Sequence, residues 1–145
     1  MHILLVEDNP ADAFLTQEAL GQGTVNNGKV SVVMDGQEAL SFLRQEGKYA
    51  SARRPDLILL DLNLPKVDGR AVLAAIKTDP LLKHIPVVIF TSSAAPRDIL
   101  QAYALYANCY VIKPLDLDNF FQVVRSVVQF WAMTACLPSR VTGDP

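Results

Sequence analysis

Residues 57–69 read LILLDLNLPKVDG. Four apolar residues, Leu57 to Leu60, run straight into Asp61, and the chain then turns through Pro65 into Asp68-Gly69. An apolar run without polar alternation is the mark of a strand covered on both faces. A carboxylate at the tip of such a strand is costly to bury unless a partner or a reaction holds it there.

Outward from this stretch the same design recurs. HILLV (2–6), KVSVVM (29–34), DLILL (56–60), PVVIF (86–90) and CYVI (109–112) have strand character. Between and after them lie helical patterns. PADAFLTQEALGQG (10–23) has Pro10 at its start, Ala13, Phe14, Ala19 and Leu20 near helical spacing, and glycines at its end. GQEALSFLRQEG (36–47), GRAVLAAIKTD (69–79, stopped by Pro80), PRDILQAYALYA (96–107) and DLDNFFQVVRSVVQFWAM (116–133) complete the set. Five strands alternating with five helices predict a doubly wound α/β domain with a parallel sheet and right-handed crossovers. The domain is expected over residues 1–133. A C-terminal tail, 134–145, is expected to be unanchored after about residue 138. In such folds the site lies beyond the carboxyl ends of the strands. Glu7-Asp8-Asn9 follow the first strand, Asp61 the third, Thr91-Ser92-Ser93 the fourth and Lys113-Pro114 the fifth. Crowded carboxylates partly protonate unless a counter-charge is present, and a hard cation such as Mg²⁺ takes oxygen ligands of this kind. An acid cluster, a lysine and a hydroxyl around one aspartate suit phosphoryl transfer, with Asp61 as the in-line nucleophile.

LLVEDNPAD, DLILLDLNLPKVDG, PVVIFTSS and YVIKPLD together resemble the motif set of response-regulator receiver domains of two-component signalling, over residues 2–130. The resemblance implies a flavodoxin-like sheet of order 2-1-3-4-5. It implies that Asp61 is the phosphoacceptor and that Glu7, Asp8, Asp61 and the backbone carbonyl of Asn63 hold Mg²⁺, with Asp8 the more direct ligand. Thr91 then follows the phosphoryl group and Lys113 pairs with its oxygens. Tyr110 is the switch aromatic moving with Thr91, and the Lys113–Pro114 bond is cis. RPDLILLDLNLPKVDGR, YALYANCYVIKPLDLDNF and the FW of the last helix are similar to the small receivers that accompany bacterial and cyanobacterial phytochromes. This makes a light-sensing histidine kinase the expected partner. Because the fold takes up almost the whole chain, no DNA-binding or enzymatic output domain is expected, and the output is expected to be a surface change around the fourth helix, fifth strand and fifth helix.

The bulk properties agree. The chain has 145 residues, 50% hydrophobic and 19% charged, which allows one domain with its own core. A net charge of −2 argues against a nucleic-acid partner. No apolar run approaches the roughly 20 residues of a membrane span, and MHILLVEDN lacks the features of a signal peptide, so a cytoplasmic protein is expected. Cys109 and Cys136 have no metal or CxxC spacing and read as reduced thiols, and His2 and His84 as structural residues.

Plainer readings stand beside these. Asp8 and Asn9 are good helix caps, and so are Thr91 and Ser92. Lys113 could be a surface lysine and Tyr110 plain core. Capping leaves unexplained why the acidic turn, Lys113 and Thr91 share the edge of Asp61. An aspartyl phosphatase resembles a D-x-D pattern, and Asn63 stands where its second acid would be. An FMN binder needs a hydroxyl- or glycine-rich first loop, and EDNPAD would repel phosphate. A constitutive binding module of receiver fold is the remaining alternative. On the last helix Leu117, Phe121, Val124, Val128 and Trp131 share one side, with Phe120, Val123, Val127 and Phe130 beside them. That arc is roughly 180° wide, more than the ~100° a sheet-packed helix needs, so a homodimer through this face is expected.

Overall fold

The computed structural model describes residues 1–21 and 29–142. Strands β1 (His2–Val6), β2 (Lys29–Val33), β3 (Leu57–Leu60), β4 (Val87–Thr91) and β5 (Cys109–Ile112) form one parallel sheet of order β2-β1-β3-β4-β5. Helices α1 (Pro10–Gly21), α2 (Gly36–Leu43), α3 (Gly69–Thr78), α4 (Pro96–Ala104) and α5 (Leu117–Gln129) make the crossovers and cover the faces. The doubly wound fold and its strand order are as expected. Gly23, expected near the end of the first helix, lies outside the described residues.

The strands are apolar throughout because alternate side chains enter two cores. Leu4, Val6, Ile58, Leu60, Val87 and Ile89 pack with Phe42 and Leu43 of α2, Val72, Leu73 and Ile76 of α3 and Ala102 of α4. Ile3, Leu5, Leu57, Leu59, Val88 and Phe90 pack on the other side with Ala13, Ala19 and Leu20 of α1 and Phe120, Val124 and Val128 of α5. At roughly 25 cal/mol per Å² of apolar surface removed from water, this two-sided burial dominates the stability of the sheet. Phe14, counted with the helical pattern of α1, faces solvent at 59% exposure.

The C-terminal end departs from expectation. α5 gives way after Gln129 to a π-helical turn, Phe130–Thr134, followed by a short helix, α6 (Pro138–Thr142). Leu137 is 1% exposed, Arg140 Nη2 donates to the Ala132 carbonyl at 2.5 Å, and Ser139 hydrogen-bonds Asp56. The tail is therefore anchored through its described residues, because one buried leucine and two polar contacts fix a segment too short to be apolar on a helical period. By length and composition alone Leu117–Val141 could cross a bilayer, since Asp118, Arg125 and Arg140 are its only charges. Its Phe120, Val124 and Val128, however, are buried on the sheet of this domain.

Candidate functional site

The backbone ladder continues past the strand ends and brings the chemistry together. Glu7 N–H donates to the Val33 carbonyl at 3.0 Å, Asp61 N–H to Val6 at 3.1 Å and Lys113 N–H to Thr91 at 2.8 Å. Neighbouring strands thus end in step, with Glu7, Asp61, Thr91 and Lys113 side by side at the carboxyl edge. All four are buried. Asp8 is more open to solvent than Glu7 or Asp61.

The loop after β3 is cast around Asp61. Gly69 N–H returns to the Leu62 carbonyl at 2.9 Å, and Val67 N–H to Pro65 at 2.8 Å. A Cβ on Gly69 would strike the Asp61 carbonyl oxygen and would lie 2.6 Å from Leu62 Cα and 2.8 Å from Leu62 O. Glycine is needed there for close approach. Lys66 adopts φ 65°, the left-handed conformation that lets the loop turn.

Asp61 Oδ1 accepts from the Thr91 hydroxyl at 2.8 Å and from the Asn63 N–H at 3.2 Å, and Oδ2 accepts from Lys113 Nζ at 2.8 Å. Burial pushes its pKa up, but the Lys113 hydrogen bond and charge, with Thr91 and Asn63, outweigh this and hold it below the ordinary carboxylate range. The carboxylate is ionised and oriented, as a nucleophile must be. The same ammonium donates to Glu7 Oε1 at 2.5 Å and to Asp12 Oδ2 at 2.9 Å. Burial would lower the Lys113 pKa, but its hydrogen bonds to Asp61, Glu7 and Asp12 raise it above the ordinary lysine range. Burial drives Glu7 up to about 7 against the pull of Lys113, and the charge of Asp61 adds to the rise.

Glu7, Asp8 and Asp61 each offer a carboxylate oxygen, and these lie within 4.8 Å of one another. Three clustered oxygen donors, one at the solvent side, fit a hard divalent cation. Four expected residues, Asp61, Thr91, Lys113 and Glu7, are joined by direct hydrogen bonds. Asn63 reaches Asp61 through its N–H.

One expectation is overturned, and two gain detail. The Lys113–Pro114 bond is trans, since the described residues contain no cis peptide. A trans prolyl bond is intrinsically favoured, and Lys113 reaches its three partners from it. Thr91 already touches Asp61, so it has little distance to travel. Tyr110 is half-buried and its hydroxyl donates to the Ser93 carbonyl at 2.8 Å. Ser93 Oγ donates to Asp98 Oδ2 at 2.6 Å, and Arg70 Nη2 donates to Asp98 Oδ1 at 2.7 Å. This Tyr110-Ser93-Asp98-Arg70 chain and the Asp12 contact were not foreseen. Asp12 stands one helical turn beyond Asp8, the only hint in the sequence that it faces the same edge. A separate cleft of about 320 Å³, between Arg53, Arg54 and His84, opens at the opposite edge of the sheet.

A profile of the response regulator receiver domain matches residues 3–125. The chain belongs to the response regulator receiver family. It is 47% identical over 137 residues to the response regulator Rcp1 of Synechocystis sp., covering 94% of this chain and 92% of that one. The crystal structure of the phosphorylated cyanobacterial phytochrome response regulator RcpA matches with a TM-score of 0.92 at 56% identity, covering 95% of this chain and 98% of the other. The Mn²⁺-bound form of Rcp1 matches with a TM-score of 0.90 at 47% identity, over 94% and 98% of the two chains. The receiver thus belongs to two-component signalling and is a homologue of phytochrome response regulators, a family in which an aspartate is phosphorylated with the help of a divalent metal.

Proposed function

We propose that Asp61 accepts a phosphoryl group from a phosphohistidine of a sensor kinase, and that Mg²⁺ is the metal, held by Glu7, Asp8, Asp61 and the Asn63 carbonyl. The observation that carries this is one buried, ionised carboxylate bonded to both a lysine and a threonine within reach of two further acids. An Asp61 oxygen attacks phosphorus in line, the P–N bond breaks, and the leaving imidazole nitrogen takes a proton from solvent. Lys113 stays beside the oxygens gaining charge, and the Thr91 hydroxyl turns from the carboxylate to a phosphoryl oxygen. When bound, the cation neutralises charge on those oxygens. The result is a signalling protein without a small-molecule substrate of its own.

Output follows from the hydrogen-bonded path out of the site. Thr91 adjoins the loop of Ser93, which Tyr110 and Asp98 hold, so a shift at Thr91 is felt at α4 and β5. Tyr110 is the switch residue on this reading. The partner is a phytochrome-type histidine kinase, a reading supported by the relatives named phytochrome response regulators. The protein acts in the cytoplasm as a response regulator, without nucleic acid or membrane as partner, and pairs with a second copy through α5, β5 and α4. For the pairing, Leu117 and Phe130 are 51% and 49% exposed, and a groove of about 370 Å³ runs between Cys109, Val127, Phe130 and Trp131.

Incubation with a small phosphodonor and Mg²⁺, followed by intact-mass measurement, tests the reading. Wild type gains one phosphoryl group and Asp61→Asn gains none, because an amide is a poor nucleophile. Equal phosphorylation of the variant would remove Asp61 from its role.

A further inference from the structure

Lys113 carries more partners than the transfer reaction uses. Its ammonium has three protons, and each meets a different carboxylate: Glu7, Asp61 and Asp12. Below it lies the ring of Phe90, 5.8 Å from Nζ to the centroid. The lysine side chain is 5% exposed. Two of its partners, Glu7 and Asp61, belong to the trio of carboxylates whose oxygens cluster tightly enough for a cation, and Asp12 does not. Asp12 is in the first turn of α1, and its side-chain oxygen bonds Lys113 at 2.9 Å.

We infer that Asp12 is a positioning residue: it holds Lys113 across the site from α1 while Glu7 and Asp61 give up their claims on the ammonium. The inference rests on the phosphoacceptor reading of Asp61. In the resting site the lysine is balanced between three acceptors. Once Glu7 and Asp61 serve a cation and a phosphoryl group, two of its three bonds loosen together. A lysine has four rotatable carbons in its stem and no fixed donor plane, so without a third tether it swings. Asp12 is free of those duties and sits on a different element, so it supplies a bond that survives the exchange. It also links α1 directly to the state of the site. Asp12 touches none of the reacting atoms and acts through Lys113.

The test uses the full chain, with acetyl phosphate as donor. Asp12→Ala lowers the limiting phosphorylation rate at saturating Mg²⁺ by about three- to tenfold, the scale of a modest misplacement of a charge-stabilising group. Asp12→Asn, which keeps an acceptor oxygen at the same reach, recovers part of that loss. A readout in the metal-free, unphosphorylated protein stands beside it. The ¹⁵N ammonium signal of Lys113, sharp when three acceptors hold it, broadens in Asp12→Ala with the circular dichroism of the fold unchanged. A wild-type limiting rate in Asp12→Ala, or a deficit that vanishes on raising Mg²⁺, overturns the inference, because Asp12 would then be idle or only a remote charge. An Asp12→Ala ammonium signal as sharp as that of wild type overturns it too. Failure of wild type itself to gain a phosphoryl group would instead strike the reading of Asp61.

Discussion

Removing the lysine while keeping its stem, as Lys113→Met, exposes how the site is balanced. Nζ is within 2.9 Å of three carboxylates, and the side chains of Glu7 and Asp61 are 2% and 9% exposed. Breaking a buried ion pair by deleting one partner costs about 3–5 kcal/mol, because a charge is stranded. Protonation limits that cost. Glu7 already sits at about 7, so near neutrality it sheds its charge for little, each unit of pKa being worth about 1.4 kcal/mol. The expected loss is about 2–4 kcal/mol at pH 8 and about half that at pH 5.5. With Lys113 gone, the folded-state pKa values of Glu7 and Asp61 both stand above their unfolded values. The folded state then binds more protons, and its stability falls as pH rises from about 4 toward 8. In wild type Asp61 is shifted the other way, so its contribution is present at neutral pH and lost on acidification. Urea unfolding followed by the fluorescence of Trp131 measures this at both pH values, with and without Mg²⁺, which should restore part of the loss at pH 8. A variant as stable as wild type at both pH values, or one hurt more at pH 5.5 than at pH 8, would refute the reasoning.

Gly69→Ala forces a methyl onto the backbone of Asp61 and Leu62, and thermal unfolding should show a net loss of about 1–3 kcal/mol; an unchanged midpoint rejects the close approach as its reason. Arg70→Ala frees Asp98 and hence Ser93, so hydrogen exchange of the Ala95 amide should quicken and small-donor phosphorylation should speed up; unaltered protection would mean that the ion pair does not restrain the loop. Phe130→Glu should turn a dimeric wild type monomeric in sedimentation at micromolar concentration, and a monomeric wild type or a dimeric variant removes the α5 face as the interface.

What could be read from the chain follows from the range of each signal. The sheet was legible because burial on both faces leaves uninterrupted apolar runs, and the site because the ends of adjacent parallel strands are neighbours whatever the loops do. Asp12 was hidden since an acid in a first helical turn already has a local explanation in the helix dipole. Only the crossover that carries Lys113 over 101 residues to reach it reveals the contact. The Arg70–Asp98 pair, 28 residues apart, was hidden for the same reason. At the C-terminus, Phe130, Trp131 and Met133 continue the apolar pattern, which cannot tell an α-helical turn from the π-helical one that forms. The five residues of α6 are too few to show a period.

The balance of charge bears on how so acidic a site would take up the phosphoryl group proposed for it. Glu7, Asp8, Asp12 and Asp61 are four carboxylates around one ammonium, so the fully ionised site stands at −3. Neutral Glu7, favoured by its raised pKa, brings this to −2. An incoming phosphoryl donor is itself an anion, and in a water-poor setting its approach to such a cluster is opposed by several kcal/mol at effective dielectrics near 20. A divalent cation would cut the excess to −1 with Glu7 ionised and would leave Lys113 free to face the phosphoryl oxygens. On that reading the acidic excess does two things at once: it would keep Asp61 unreactive toward anions while the cation is away, and it would draw the cation in. Lys113 alone cannot offset the excess, because all three of its protons are already engaged. On the proposed reading Asp61 is reactive only in the company of metal, which is the behaviour a signalling aspartate needs.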